Sequence, residues 1–180
     1  MQILTIQRVA THKRPFDAVE IIKRVKKIHK VDFKWVGNGE KNDINKYTPA
    51  LKSVGEWIPY ISEEEKWEML KESHIFINTS ELEGFNCGVG EALSIGIPVL
   101  VYDLPQYRDV YRDNLIYAAR VGDVKTFTIT LKDVIQHYEE YKNKFSQKNI
   151  QFINQNYSVE QVTNRILHIL EKVMNHESSR

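Results

Sequence analysis

The sequence lacks several features that would assign a protein to a class at once. Its 180 residues contain one cysteine, Cys87, which excludes an internal disulfide and a cysteine-rich zinc site. No apolar run approaches the roughly 20 residues that a membrane-spanning helix needs. The N-terminal residues lack the charged-then-apolar order of a signal peptide. We therefore expect a soluble cytoplasmic protein, with peripheral association at the inner face of the membrane as an alternative.

The sequence also lacks an excess of charge of one sign. Its 25 Lys and Arg residues and 24 Asp and Glu residues give a net charge of +1, so no broad electrostatic attraction to nucleic acid is expected. The six histidines show neither the H-x-x-H nor the H-E-x-x-H spacing of a metal site. What is present is a globular composition, with 42% hydrophobic and 27% charged residues and enough chain for one core.

Short apolar runs alternate with helical patterns along the chain. Strands are predicted over 3–6, 31–37, 53–58, 74–80, 98–102 and 114–118, and helices over 15–29 and 91–95 and from about Asp43, Ser62, Asp123 and Ser158. In the first helix, one apolar stripe is expected to face the sheet: Phe16, Val19, Ile22, Val25 and Ile28. Because the strands are apolar on both faces, we predict an α/β domain with a doubly wound parallel sheet. Ligands of such sheets bind where strands lead into helices.

The loop after the first strand concentrates positive charge ahead of a helix. Arg8, Lys13 and Arg14 lie there, and a helix N-terminus with cations nearby is a good place for phosphate. An ordinary solvated basic turn would have the same composition, and charge alone does not separate the two interpretations.

A second loop, SELEGFNCGVGE at 80–91, is both acidic and rich in glycine. Its glycines allow backbone amides to approach a ligand and to adopt positive φ, and Glu83 and Glu91 can accept hydrogen bonds from hydroxyl groups. Together with the basic loop, this pattern suits a ligand with phosphates and many hydroxyls, such as a nucleotide sugar. The alternative is that Glu91 only favours a helix N-terminus, while Glu83 and Glu81 face solvent.

Three further features carry weaker signals. Gly37-Asn38-Gly39 has the spacing of part of a dinucleotide fingerprint, but without the third glycine it indicates a tight turn. Cys87 has no evident base beside it and is interpreted as a small, partly buried residue. Trp57 lies beside an apolar run, where core packing is the default.

Several of these motifs, in this order, resemble the retaining glycosyltransferases of family 4. The resemblance is carried by Arg8 with Lys13, by VGNGE and VGEWIPYISEEE, and above all by SELEGFNCGVGEALSIGIPVLV. It runs from about residue 3 to residue 120 and implies the C-terminal, donor-binding half of a GT-B fold. Residues 1–155 would then form a Rossmann-like domain that binds a nucleotide sugar. Residues 156–180 would form a helix that packs on this domain or crosses to a missing N-terminal domain.

The resemblance also implies roles for individual residues. Arg8 and Lys13 would bind the donor diphosphate and stabilise the leaving group, Glu83 would contact the donor sugar near the reacting carbon, and Glu91 would bind the ribose. The implied donor-binding set is Arg8, Lys13, Glu83, Gly84, Phe85, Asn86, Cys87, Gly88 and Glu91, and the implied base pocket is Trp57, Ile58 and Tyr60.

Three residues depart from the family pattern. Asn86 and Arg14 stand where glycine is common, and Thr79 replaces a proline. None of these changes removes a charged group of the implied site.

The implied function is hexosyl transfer from a nucleoside-diphosphate sugar to a hydroxyl acceptor, on a glycan or a lipid-linked saccharide. Since Arg8 and Lys13 can act as counter-ions, no cofactor or metal is expected. This chain alone is expected to be an incomplete catalyst. The alternatives are another GT-B enzyme, such as a nucleotide-sugar epimerase, and a non-catalytic α/β module that binds a partner protein.

Overall fold

The computed structural model describes residues 1–177, which form six strands and eight α-helices. The strands are β1 Gln2–Ile6, β2 Asp32–Val36, β3 Glu56–Ile58, β4 Ile75–Asn78, β5 Val99–Tyr102 and β6 Ile116–Ala119. The helices are α1 Pro15–Lys26, α2 Lys41–Lys52, α3 Glu63–Glu72, α4 Cys87–Ser94, α5 Pro105–Tyr111, α6 Val124–Gln136, α7 Tyr138–Tyr157 and α8 Val159–Glu177. Two short 3-10 turns occur at Thr11–Lys13 and Arg112–Asn114.

The strands form one parallel sheet in the order β3-β2-β1-β4-β5-β6. This confirms the predicted doubly wound sheet. The direction of winding reverses between β1 and β4, and the loops that follow these two strands leave the same edge of the sheet. In doubly wound sheets, this reversal is where ligands bind.

Helices cover both faces of the sheet. On one face α1 packs between α2 and α6, and the buried side chains there include Trp35 and Phe127, both 0% exposed. On the other face α4 packs against α7, with Phe76 and Tyr107 fully buried. Burial on both faces explains why the strand sequences are apolar throughout rather than alternating.

The first helix is shorter than its apolar pattern predicted. It ends at Lys26 rather than 29, and the two ends of the expected stripe are exposed, Phe16 at 49% and Ile28 at 69%. Ile28 lies beyond the end of the helix. Phe16 packs edge-on against Tyr47 of α2, with ring centroids 4.9 Å apart.

Other boundaries also differ from prediction, and β3 and β4 are shorter than the predicted 53–58 and 74–80. Helix α2 begins at Lys41, two residues before the predicted start at Asp43. Strand β6 begins at Ile116, because Asn114 closes a 3-10 turn by donating a hydrogen bond from its side chain to the Tyr111 carbonyl.

The last helix leaves an apolar stripe uncovered by the described residues. Helix α8 starts at Val159, and the Ser158 hydroxyl accepts a hydrogen bond from the Gln161 amide. At least 38% of each of the following side chains is exposed: Val159, Val162, Ile166, Leu167, Ile169, Leu170, Val173 and Met174. The predicted segment 156–180 extends past this helix, and 178–180 lie outside the described residues. Within residues 1–177, no helix has both the length and the apolar content to cross a bilayer.

Candidate functional site

The loops that follow β1 and β4 are joined by an ion pair. Lys13 Nζ lies 2.5 Å from Glu83 Oε1, and the two side chains are only 12% and 7% exposed. The backbone closes the same gap, because the Glu81 amide donates to the His12 carbonyl and the Thr79 hydroxyl donates to the Lys13 carbonyl, both at 2.9 Å. Glu83 is therefore not a solvent-facing carboxylate, and Lys13 does not belong to a merely solvated turn.

A buried polar network underlies this ion pair. Gln7 Oε1 accepts hydrogen bonds from Asn78 Nδ2 at 2.7 Å and from the Ser80 hydroxyl at 3.0 Å. The Ser80 amide in turn donates to Asn78 Oδ1 at 2.9 Å. These three polar residues are buried, and their hydrogen bonds replace most of those lost with water, while Gln7 Nε2 has no partner among the described residues. The network fixes the first residues of both loops relative to each other.

Asn86 holds the carboxylate from the other side. Its Nδ2 donates to Glu83 Oε1 at 2.6 Å, while its Oδ1 accepts from the Val89 amide at 3.2 Å and so caps α4. Its backbone adopts φ 53° and ψ 88°, in the left-handed region. This is the conformation that favours glycine, which accounts for glycine being common here in the family that the sequence resembles.

The position of this cap corrects two predictions about the loop. Helix α4 begins at Cys87 rather than at 91, because the Asn86 cap starts it directly after the turn. Positive φ belongs to Asn86, whereas Gly84, Gly88 and Gly90 do not adopt it. Cys87, predicted to be partly buried, is an exposed free thiol at the first position of the helix.

Arg14 is occupied by internal contacts. Its Nε pairs with Asp17 Oδ2 at 2.7 Å and its Nη1 with Glu81 Oε2 at 2.8 Å. The hydrogen bond that Arg14 donates to Asp17, and then the one it donates to Glu81, raise the pKa of Arg14. Glu81 was predicted to be a solvent-facing neighbour and is exposed, but it has this partner. Arg14 also has φ 49°, at the second position where the related family often has glycine.

Arg8 is the free cation of the site. Its side chain is exposed, and within residues 1–177 its guanidinium has no hydrogen-bonding or ion-pairing partner. Of the three basic residues in this loop, Lys13 and Arg14 are paired with carboxylates, and the donors of Arg8 have no partner among the described residues.

Glu91 is paired with a residue that the sequence analysis did not single out. Lys66 Nζ on α3 lies 2.7 Å from Glu91 Oε1 and 2.7 Å from Glu63 Oε2. Burial lowers the pKa of Lys66, but the hydrogen bonds that it donates to Glu63 and Glu91 together outweigh burial, so the net shift of its pKa is upward. The sequence spacing alone reveals the contact of Lys66 with Glu63, which is three residues away on the same helix. It does not reveal the contact with Glu91, because that contact requires α3 and α4 to come together in the tertiary fold.

Aromatic residues close one side of the acidic loop. Phe85 packs against Tyr111 and Tyr157, with ring centroids 5.5 and 4.9 Å away. The Tyr111 hydroxyl donates to the carbonyls of Phe85 and Asn86. The Tyr107 hydroxyl accepts a hydrogen bond from Asn86 Nδ2 at 3.3 Å, and burial raises the pKa of both Tyr107 and Tyr111. These tyrosines were not predicted, since they come from α5 and reach the loop only in the folded chain.

The residues of the expected base pocket lie in and just after β3, with Trp57 and Ile58 in the strand and Tyr60 in the loop that follows. Trp57 Nε1 donates to the Gly37 carbonyl at 3.0 Å, and Asn38 Nδ2 donates to the Tyr60 hydroxyl. Trp57 and Ile58 are half-buried, while 76% of Tyr60 is exposed. The Gly37-Asn38-Gly39 turn is tight, because a Cβ on Gly39 would lie 2.1 Å from the Val9 carbonyl oxygen.

This edge of the sheet therefore combines one free guanidinium, two carboxylates and two open amides. The cap satisfies the Val89 amide, whereas the amides of Cys87 and Gly88 have no partner among the described residues. Open amides and guanidinium groups bind phosphate, and carboxylates bind hydroxyls. Residues 1–177 bring together no cluster of three or more His, Cys, Asp or Glu side chains that could hold a metal ion.

Comparisons with known proteins identify the family and the fold of the chain. The family model described as Glycosyl transferases group 1 matches residues 1–152. No sequence among the curated proteins matched the chain.

Solved structures share the fold. A TarM mutant from S. aureus, in complex with fondaparinux, α-GlcNAc-glycerol and UDP, is 22% identical with a TM-score of 0.75, covering 93% of this chain and 34% of that one. The pneumococcal O-GlcNAc transferase GtfA, in complex with UDP and GlcNAc, is 15% identical with a TM-score of 0.78, covering 96% and 36%. The C-terminal domain of a group 1 glycosyl transferase (LpcC) from Francisella tularensis is 14% identical with a TM-score of 0.71, covering 88% and 87%. The chain thus spans about a third of the first two proteins and most of the third domain.

Proposed function

Because the chain belongs to the group 1 glycosyltransferases, we propose that it is the donor-binding half of a retaining enzyme of the family 4 type. The complete enzyme would transfer a hexosyl group from a nucleoside-diphosphate sugar to a hydroxyl acceptor on a glycan or a lipid-linked saccharide. The observation that carries the proposal is the meeting of Lys13 and Glu83 where the winding of the sheet reverses.

The cations suit the departing diphosphate. When the bond between the sugar carbon and the phosphate oxygen breaks, the electron pair stays on the diphosphate. Fixed positive charge beside it stabilises the developing charge. Arg8 is free to take this position, and the amides of Cys87 and Gly88 are open at the positive end of α4. Lys13 would share its ammonium between Glu83 and the phosphate.

The carboxylates suit the hydroxyl groups of the donor. Glu83 Oε1 is held by Lys13 and Asn86, whereas Oε2 receives no hydrogen bond from the described residues. That oxygen is available to a sugar hydroxyl close to the reacting carbon. Glu91, one turn into α4, is similarly held at one oxygen and would accept from the ribose.

The exposed apolar stripe of α8 supports the proposal that this chain is only one part of the complete enzyme. The chain spans only 34% of the TarM mutant and 36% of GtfA, and apolar patches of this kind mark protein–protein contacts. We propose that an N-terminal domain with the acceptor site covers the stripe in the complete enzyme.

Isothermal titration calorimetry with UDP-, GDP- and ADP-sugars tests the donor role. Saturable binding of one nucleotide class, without conversion of the sugar, is the expected result. Conversion of the donor without an acceptor would indicate an epimerase instead. Absence of heat with all three classes, in a sample shown to be folded by circular dichroism, would refute donor binding. Retention is tested on the complete enzyme by the anomeric configuration of the product in NMR.

A further inference from the structure

Lys66 places an ammonium group between two carboxylates of different burial. Its side chain is 13% exposed, and the two partners, Glu91 and Glu63, are 23% and 76% exposed. We infer that Lys66 is a positioning residue that holds Glu91 in the orientation that recognises the ribose. It would thereby set the preference of the site for ribonucleotides over deoxyribonucleotides. The inference rests on the proposed function.

The geometry fixes one oxygen of Glu91 and leaves the other open. Lys66 Nζ donates to Oε1 at 2.7 Å, and no described residue donates to Oε2. The base of the carboxylate is rigid, since the next two residues of α4, Ala92 and Leu93, are fully buried. A carboxylate held at one oxygen presents the second in a single direction, and such preorganisation favours binding of a matching hydroxyl.

Lys66 also removes an electrostatic conflict. Glu91 lies on the helix whose N-terminal amides are proposed to meet the diphosphate, and two anions close together repel each other. An ammonium 2.7 Å from the carboxylate compensates that charge. The ion pair with Glu63 does not by itself explain why Lys66 lies here. The Glu63 side chain is largely in solvent, where an ion pair contributes little to stability.

The inference differs from a purely structural role in a measurable way. If Lys66 only held α3 against α4, its loss would change the affinity of the site for every ligand by the same factor. A residue that aims Glu91 supports only ligands that carry the ribose hydroxyl. The ratio of two affinities therefore separates the roles, and a change in overall affinity does not.

The test measures dissociation constants of UDP, GDP and ADP and of their 2′-deoxy counterparts by calorimetry. Three variants of the full chain are compared with the wild type: Lys66→Met, Lys66→Arg and Lys71→Met. Lys71 lies on the same helix, is exposed and is the matched control. We expect the wild type to prefer the ribonucleotide roughly tenfold, which corresponds to about 1.4 kcal/mol. Lys66→Met should reduce that ratio to about one, and Lys66→Arg and Lys71→Met should retain it.

The outcomes separate the inference from the proposed function. If the wild type binds no nucleotide, the proposed function fails and the inference with it. If the wild type binds nucleotides but Lys66→Met keeps the wild-type ratio, only the inference is overturned, whether or not overall affinity falls. Binding with no preference for ribose in the wild type also overturns it, and leaves the diphosphate contacts in place.

Discussion

The loops that follow β1 and β4, here called the loop region, differ from helix α8 in how their side chains are covered. In the loop region Glu83 is 7% exposed and paired within the chain. On α8, side chains such as Leu170 and Ile169 are 52% and 60% exposed. Charged groups are costly to bury unless paired, whereas apolar groups are stabilised by any matching apolar surface. The difference is that the charged side chains of the loop region find partners within the chain, while the apolar side chains of α8 remain exposed among the described residues.

The largest effect is expected from breaking the ion pair of the loop region. Lys13→Met should weaken donor binding roughly a hundredfold, because it removes a cation from the diphosphate and leaves the buried charge of Glu83 without its counter-ion, held only by the hydrogen bond from Asn86. The variant should also lose about 3 kcal/mol of stability, the order found when one member of a buried pair is removed. Calorimetry and urea unfolding measure the two losses.

A double variant separates the two causes. Lys13→Met combined with Glu83→Gln removes the unpaired charge, so stability should return toward that of the wild type while donor binding remains weak. Recovery of binding in the double variant would contradict a direct role for Lys13 at the phosphates.

A smaller effect is expected at the cap of α4. Asn86→Ala should destabilise the chain by about 2 kcal/mol, because it removes a helix cap and places alanine at positive φ. Asn86→Gly relieves the backbone and should cost less, yet both variants lose the hydrogen bond to Glu83 and should weaken sugar-donor binding alike. Equal stability of the two variants in urea unfolding would show that the positive φ carries no energetic weight.

The smallest effect is expected on α8. Leu170→Ala should change the unfolding free energy of this chain by less than about 0.5 kcal/mol, as is usual for exposed sites. Leu131→Ala is the matched substitution on α6, where the side chain is 0% exposed, and should cost about 3 kcal/mol. A comparable loss at both positions would mean that α8 is covered in the isolated chain and would remove the contrast.

The sheet and several helix starts could be predicted from sequence because their signals are local. Strands apolar on both faces require layers of helices on each side, and the structure has them. The predicted helix start at Ser62 is such a case, because Ser62 and Glu65 have the spacing of a capping box and each accepts a hydrogen bond from the other's amide, at 3.1 and 2.7 Å. Such contacts involve residues three apart and depend little on the rest of the fold.

The contacts of the site could be predicted only in part. The charged residues were evident from their place after strands, but the partner of Glu91 was not, since Lys66 precedes it by 25 residues on another helix. Helix α4 contains the predicted residues 91–94 but begins four residues earlier, because the residue with positive φ is Asn86 rather than one of the glycines, which tolerate it best. The Asn86 side chain accepts a hydrogen bond from the Val89 amide and donates to Glu83 and Tyr107, contacts that local sequence did not reveal.

The buried network of Gln7, Asn78 and Ser80 has a consequence for how the chain reaches its fold. If β4 paired with β1 one residue out of step, the polar groups of this network would be buried without partners. Each such group costs about 1–3 kcal/mol, and purely apolar strands would impose no comparable penalty. The network therefore favours the native register of β4 against β1. In that register the loops after the two strands place Lys13 next to Glu83.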